Sequence, residues 1–393
     1  MKLIREDIVS DIRLRVESVR RNMQQMQMDA VLIASNANIF YTTGRFFRGY
    51  VYISAENMPV WFVVRPKGFE TGDDIIEIRK PELIPDELKK LGISMPGKIG
   101  FEYDDMTYSD IKRLEAIFPD SQSVNASPVV RKARMVKTPW EIDQMRFDGI
   151  HQAEVYRRIR HCYKEDMTDI EFQIEIEKTL RLEGCLGYIR TSGNLMEINM
   201  GSVIAGDNAD APGPYEFTMG GSGADPSLPV GANGTTIHRG ETVMVDVCGA
   251  FNGYQTDMTR VWRLGEIPKL AYKAHECSRN IMRECEKIGL PGAKVSDLYE
   301  KALKIAEDEG LREYFMGHNQ QAPFIGHGVG IQLNELPVVT SRSRDILEGN
   351  MTIALEPKFV IPHVGAVGIE NTYVVTASGL ECITVFPEEI QEL

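Results

Sequence analysis

The chain has 393 residues, 43% of them hydrophobic and 26% charged, with a formal net charge of −13. That balance excludes a disordered chain and provides for large buried cores, spread over two or three domains. It also argues against a nucleic-acid protein, because no basic cluster stands out, and against a membrane span, because no apolar run reaches about 18 residues. The six cysteines show no Cys-x-x-Cys spacing and no signal peptide precedes them, so a cytoplasmic protein with reduced thiols is expected.

After a charged, helix-like start, residues 8–28 place Ile12, Val16, Val19, Met23 and Met26 near one face and predict an amphipathic helix. Ala30–Ala34 reads as a buried strand, Asn36–Gly44 as a polar turn, and Gly49–Ser54 and Pro59–Val64 as strands. Short polar and apolar pieces alternate over 67–95 and end in a helix near Pro85–Lys90. A strand at Lys98–Phe101 and a helix at Tyr108–Phe118 follow. The β/α alternation predicts an α/β domain over 1–134, with a seam near Val129–Lys137 and a second domain over 135–393. That second domain opens on Thr138-Pro139 with Glu141 at N3, a capping box. Thr168 and Glu171 repeat the box for a helix ending near Gly184. Further helices are predicted at Pro268–Ile288 and from Ser296 to a Gly310 cap. Gly206–Gly234, rich in Gly, Pro and acids but carrying Tyr215, Phe217 and Met219, is read as a loop lining a cleft.

Glu241–Arg260 reads as a β-hairpin. Val243, Val245 and Val247 alternate with Thr242, Met244 and Asp246, and Asn252-Gly253 predicts a two-residue turn with φ > 0. In that register Asp246 faces Thr259 and Cys248 faces Asp257, so both carboxylates share a face, about 7–8 Å apart at the backbone. Buried acids need partners. Either a metal or salt bridges to Arg260 or another base would meet that need. Cys248 reads as a small buried hydrophobe rather than a nucleophile.

Three more donors sit in apolar company: His327 among Gly326, Gly328 and Gly330, Glu356 after Thr352–Leu355, and Glu370 after Gly365–Ile369. With Asp246 and Asp257 they form an oxygen-plus-imidazole set suited to a pair of divalent ions such as Mn, Co, Fe or Zn.

The order Asp246, Asp257 eleven residues on, Gly-His327-Gly, Glu356-Pro and Ile-Glu370 closely resembles metallopeptidase family M24, the pita-bread fold of methionine aminopeptidase, aminopeptidase P and prolidase. Asn38–Gly44 resembles the N-terminal domain of the creatinase/prolidase branch. The resemblance implies an α/β N-terminal domain and an α+β pita-bread catalytic domain. It also implies two divalent ions, Mn foremost, bridged by Asp257 and Glu370. Asp246 would complete one site, and His327 and Glu356 the other. The implied reaction is hydrolysis of short Xaa-Pro peptides by a hydroxide shared between the ions, with Glu356 as proton shuttle, in a cytoplasmic homodimer. The alternatives are a pita-bread hydrolase acting on another small C–N substrate, as creatinase does, and a non-catalytic binding protein.

Three departures from the branch pattern stand out. Ala211-Pro212-Gly213-Pro214-Tyr215 lacks a cleft histidine, Asn334 stands where the branch has another, and Gly368 replaces an arginine. Each lost donor can cost ~10²–10³ in rate if nothing replaces it. Asn334 and Tyr215 are carried as catalytic candidates, with Tyr254, His318 and His363 as further substitutes.

Overall fold

The computed structural model describes residues 6–69, 72, 74–193 and 196–393. The chain divides into two compact units between Arg134 and Met135.

In the first unit the elements run α1 (Glu6–Gln25), β1 (Ala30–Ile33), α2 (Asn36–Thr43), β2 (Arg48–Ser54), β3 (Val60–Arg65), β4 (Ile75–Glu77), α3 (Ile84–Lys90), β5 (Lys98–Phe101), α4 (Tyr108–Ile117), β6 (Gln122–Asn125) and α5 (Ser127–Met135). One mixed sheet forms, in the order β4-β3-β2-β1-β5-β6, with β1 antiparallel to β2 and parallel to β5. Leu32, Phe62, Ile99 and Phe101 pack beneath α3 and α4. One expectation fails here. Asn36–Thr43 is a helix rather than a turn, closed by Gly44 at φ 68°. The division between the units falls within the 129–137 segment, which is largely helical because Val129, Val130 and Ala133 bury one face of α5.

The second unit begins with α6 (Pro139–Cys162) and α7 (Asp169–Glu183), and both predicted capping boxes are formed. Then come β7 (Gly201–Ala205), β8 (Glu241–Val247), β9 (Thr259–Leu264), α8 (Lys269–Ile288), α9 (Val295–Asp308), β10 (Gly326–Gly328), β11 (Glu335–Val338) and β12 (Thr352–Leu355). The chain ends with β13 (Lys358–Ile361), β14 (Gly365–Gly368), β15 (Asn371–Thr376), β16 (Gly379–Cys382) and β17 (Gln391–Glu392). The strands form a β17-β9-β8-β7 sheet, a β11-β10-β12-β15-β16 sheet and a β13-β14 ribbon.

Each large sheet covers a helix pair. Val243, Val245 and Val247 of β8 pack on α6 and α7, the face their alternation assigned them. Ile353, Leu355, Tyr373 and Val375 of β12 and β15 pack against α8 and α9. The opposite face of β8 carries Met244 and then Asp246, and there the two halves of the unit meet through an antiparallel bridge between Thr259 and Glu370.

Candidate metal centre

The hairpin register holds: Asp246 pairs with Thr259, and Gly249 with Thr256. The tip differs. Neither Asn252 nor Gly253 has a positive φ. Instead the Asn252 side chain accepts from the Tyr254 N–H at 2.7 Å and donates to the Gln144 carbonyl at 3.0 Å, so a side-chain turn closes the loop and ties it to α6.

Asp246 is the penultimate residue of β8, Asp257 precedes β9, and Glu370 links β14 to β15. His327 lies in β10 and Glu356 follows β12, where its N–H reaches the Ile325 carbonyl at 2.8 Å. Glycines flank His327 because neighbouring strands approach closely. A Cβ on Gly326 would lie 2.1 Å from the Ala354 carbonyl oxygen, and one on Gly328 2.0 Å from that of Leu336.

These donors gather into two trios, Asp257–His327–Glu370 and Asp246–Glu356–Glu370, each with ligand atoms within 4.8 Å of one another. His327 Nε2 lies 3.8 Å from both Asp257 Oδ2 and Glu356 Oε1. Its Nδ1 faces the Gly328 carbonyl at 3.0 Å; a carbonyl only accepts, so Nδ1 is the donor there and Nε2 is the ring nitrogen turned to the cluster. Burial, then the neighbouring carboxylates, push Asp257 and Glu370 well above the usual carboxylate range. Burial raises Glu356 too, but Lys358, His327 and Thr218 outweigh it and hold Glu356 below that range.

The family model described as Metallopeptidase family M24 matches residues 143–377, and that described as Creatinase/Prolidase N-terminal domain matches 15–136. This chain belongs to metallopeptidase family M24. It combines a creatinase-type N-terminal domain with an M24 pita-bread domain. Among similar proteins, the Bacillus subtilis peptidase YqhT is 26% identical over 396 residues, covering 96% of this chain and 99% of that protein. The Xaa-Pro dipeptidase of Pyrococcus horikoshii is also 26% identical, covering 96% and 98%. Among solved structures, a Bacillus anthracis Xaa-Pro dipeptidase superposes with TM-score 0.78 at 23% identity, covering 97% of this chain and 100% of the other. A Thermotoga maritima X-Pro aminopeptidase gives 0.76 at 21%, covering 95% and 100%. At these identities the superpositions establish the fold.

Against the two-ion centre that M24 implies, this chain sets Lys358. The residue is 1% exposed, and its Nζ lies 2.8 Å from Asp246 Oδ2, 2.8 Å from Glu356 Oε2 and 3.0 Å from Glu370 Oε2. Thr218 joins the same knot, donating to Glu356 Oε2 at 2.7 Å and accepting from Lys358 at 3.3 Å. One trio is therefore already satisfied by an ammonium. The other is not: Glu370 Oε1 is buried with no hydrogen-bond donor among the described residues. The donor set fits one divalent ion beside His327 and does not fit two.

Lys358 is the base that the buried acids called for. Arg260, the other candidate, spends its donors on the carbonyls of Thr259, Glu370, Phe386 and Pro387 and on Asn371 Oδ1. The signal for Lys358 was present in the sequence: a lysine two residues beyond Glu356, at strand spacing, heading the apolar run Lys358–Ile361.

The remaining candidates have other contacts. Asn334 borders the cleft, but its Oδ1 accepts from the Ser192 N–H and its Nδ2 donates to the Ser192 carbonyl, both at 2.7 Å, so it clamps a loop. Tyr215 lies in a neighbouring cavity; its hydroxyl is 3.3 Å from Glu197 Oε2 and its ring stacks on Phe217, which does line the cleft. Tyr254 donates to Glu141 Oε1 at 2.9 Å, His318 pairs with Asp210 at 2.9 Å, and His363 pairs with Asp207 at 3.0 Å. The Gly206–Gly234 segment lines the cleft through Glu216, Phe217, Thr218 and Met219. Cys248 is buried, its thiol pushed well up by burial and by Asp257, as a packing residue would be. Gly368 sits at φ 132° opposite Lys358, and a Cβ there would lie 2.6 Å from the Pro357 carbonyl oxygen, so no arginine fits this backbone.

Proposed function

We propose that this chain is a peptidase of the Xaa-Pro class, working on short peptides in the cleft above Asp257, His327, Glu356 and Glu370. One observation carries the reading: donors from five separate segments converge at the cleft, and one carboxylate oxygen among them is buried without a donor among the described residues. The names of the similar proteins, Xaa-Pro dipeptidase and X-Pro aminopeptidase, agree with it. A divalent ion bound here, manganese in our reading, supplies Lewis-acid polarisation of a carbonyl and of water.

The chain's own residues do the rest. Lys358 and Thr218 hold Glu356 Oε2, so the carboxylate stays ionised and presents Oε1 to the cleft. Glu356 accepts the proton of the attacking water and returns it to the departing nitrogen. Met196, Ile198, Phe217, Met219 and Leu333 give an apolar seat for the peptide, and Glu216 offers a negative charge for an α-ammonium. Among the described lining residues none is Lys or Arg, so a free carboxylate finds no counter-charge. That favours aminopeptidase action on longer peptides over dipeptidase action. The reading places the enzyme in the cytoplasm as a homodimer. Among the described residues no helix is long and apolar enough to cross a membrane.

The test is a panel of Xaa-Pro dipeptides and Xaa-Pro-Yaa tripeptides under added Mn. Faster cleavage of the tripeptides is expected, and a preference for dipeptides contradicts the aminopeptidase assignment. A metal-loaded protein inert toward all of them points to another C–N substrate. A metal-free, inert one points to a binding protein.

A further inference from the structure

We propose that the Lys358 ammonium is a resident cation standing in one of the two ion positions, so that the centre takes a single divalent ion per chain. The inference rests on the cluster being a metal centre, as read above, but not on the substrate.

The three oxygens Nζ touches, from Asp246, Glu356 and Glu370, belong to one of the two donor trios. Separations of 2.8–3.0 Å are those of ammonium–carboxylate hydrogen bonds. Divalent ions of the transition series sit nearer, at ~2.0–2.2 Å from oxygen, so an ion centred on the same oxygens would collide with Nζ. The lysine is held from its backbone. Strand alternation aims it along the same face as Glu356, it pairs with Gly368 across the ribbon, and at 1% exposure it has no solvent to swing into. On the other side the Asp257–His327–Glu370 trio turns His327 Nε2 to the cluster and holds a Glu370 Oε1 with no hydrogen-bond donor among the described residues. Four carboxylates faced by one ammonium still call for positive charge, and one divalent ion supplies most of it.

Dialysis of the full-length protein against Mn, followed by elemental analysis, reads the stoichiometry without substrate. One ion per chain is expected for the wild type, and two for Lys358→Gly. None or two in the wild type, or one in a folded Lys358→Gly, would overturn the proposal. Electron paramagnetic resonance of the Mn-loaded wild type keeps the test independent of any variant. The hyperfine sextet of an isolated ion is expected, and the exchange-coupled spectrum of a close ion pair would overturn it. Because neither reading uses a peptide, failure to cleave proline peptides bears on the catalytic assignment alone.

Discussion

The two units bury carboxylates in opposite ways. In the first, Glu102 is fully buried, yet it accepts from the Ala34 and Ser35 N–H groups at 2.6 and 2.8 Å, the Ser35 hydroxyl at 3.0 Å and Asn38 Nδ2 at 2.6 Å. Burial raises its pKa and these donors oppose the rise. Asn38 is in turn held by the Arg134 guanidinium at 2.9 Å. In the second, four carboxylates share one lysine, the Thr218 and Thr259 hydroxyls and the Cys248 thiol, and an oxygen of Glu370 has no donor among the described residues. The first cluster is complete as folded, and its function is to fix a helix start. The second is short of positive charge, and on the reading proposed above an ion makes up that shortfall.

Substitutions should separate the two. Glu370→Ala is expected to abolish Mn binding and lower kcat/KM more than ~100-fold, since even outer partners of a metal are worth 10–100-fold. Glu102→Ala should leave Mn content unchanged while costing ~3 kcal/mol of stability, because buried donors lose their acceptor. Elemental analysis and denaturant melts of both variants check the pair, and loss of metal in Glu102→Ala would break the contrast.

A third buried acid sharpens it. Asp148 in α6 is pushed up to about 8 by burial, offset only in part by the Phe251 backbone N–H. The unfolded chain ionises this group near ~3.9. Between those values the folded state binds the extra proton, so stability falls as pH rises from about 4 to about 8. Asp148→Asn should therefore stabilise the protein most at pH 8 and lose its advantage toward pH 4; a difference independent of pH would contradict this. The smallest effect is expected from Asn334→Ala. Loosening the Ser192 loop should raise KM by up to about tenfold, the value of one or two hydrogen bonds, with metal content intact. A loss confined to kcat would instead favour direct catalysis by Asn334.

The five donors were legible because each sits in a segment whose neighbours follow strand alternation or crowd the backbone with glycine, and the Asp246–Thr259 register followed from pattern alone. What escaped was non-local. Asn36–Thr43 is poor in strong helix formers, and Glu102 braces the start of that helix from 64 residues beyond Asn38. Asn252-Gly253 was outbid by an Asn side chain that found a partner on α6. Lys358 read as one charge in an apolar strand, and its meaning depends on Asp246, which lies 112 residues earlier.

The central claim is that the Asp257–His327–Glu370 trio takes an ion while Lys358 serves the other. Diffraction from Mn-soaked crystals, recorded at the manganese absorption edge, tests it most directly. The account predicts one anomalous peak per chain, within ligand distance of His327 Nε2 and Asp257, with Lys358 Nζ still on Asp246 and Glu356. Two peaks, or one lying where Nζ now sits, would contradict it.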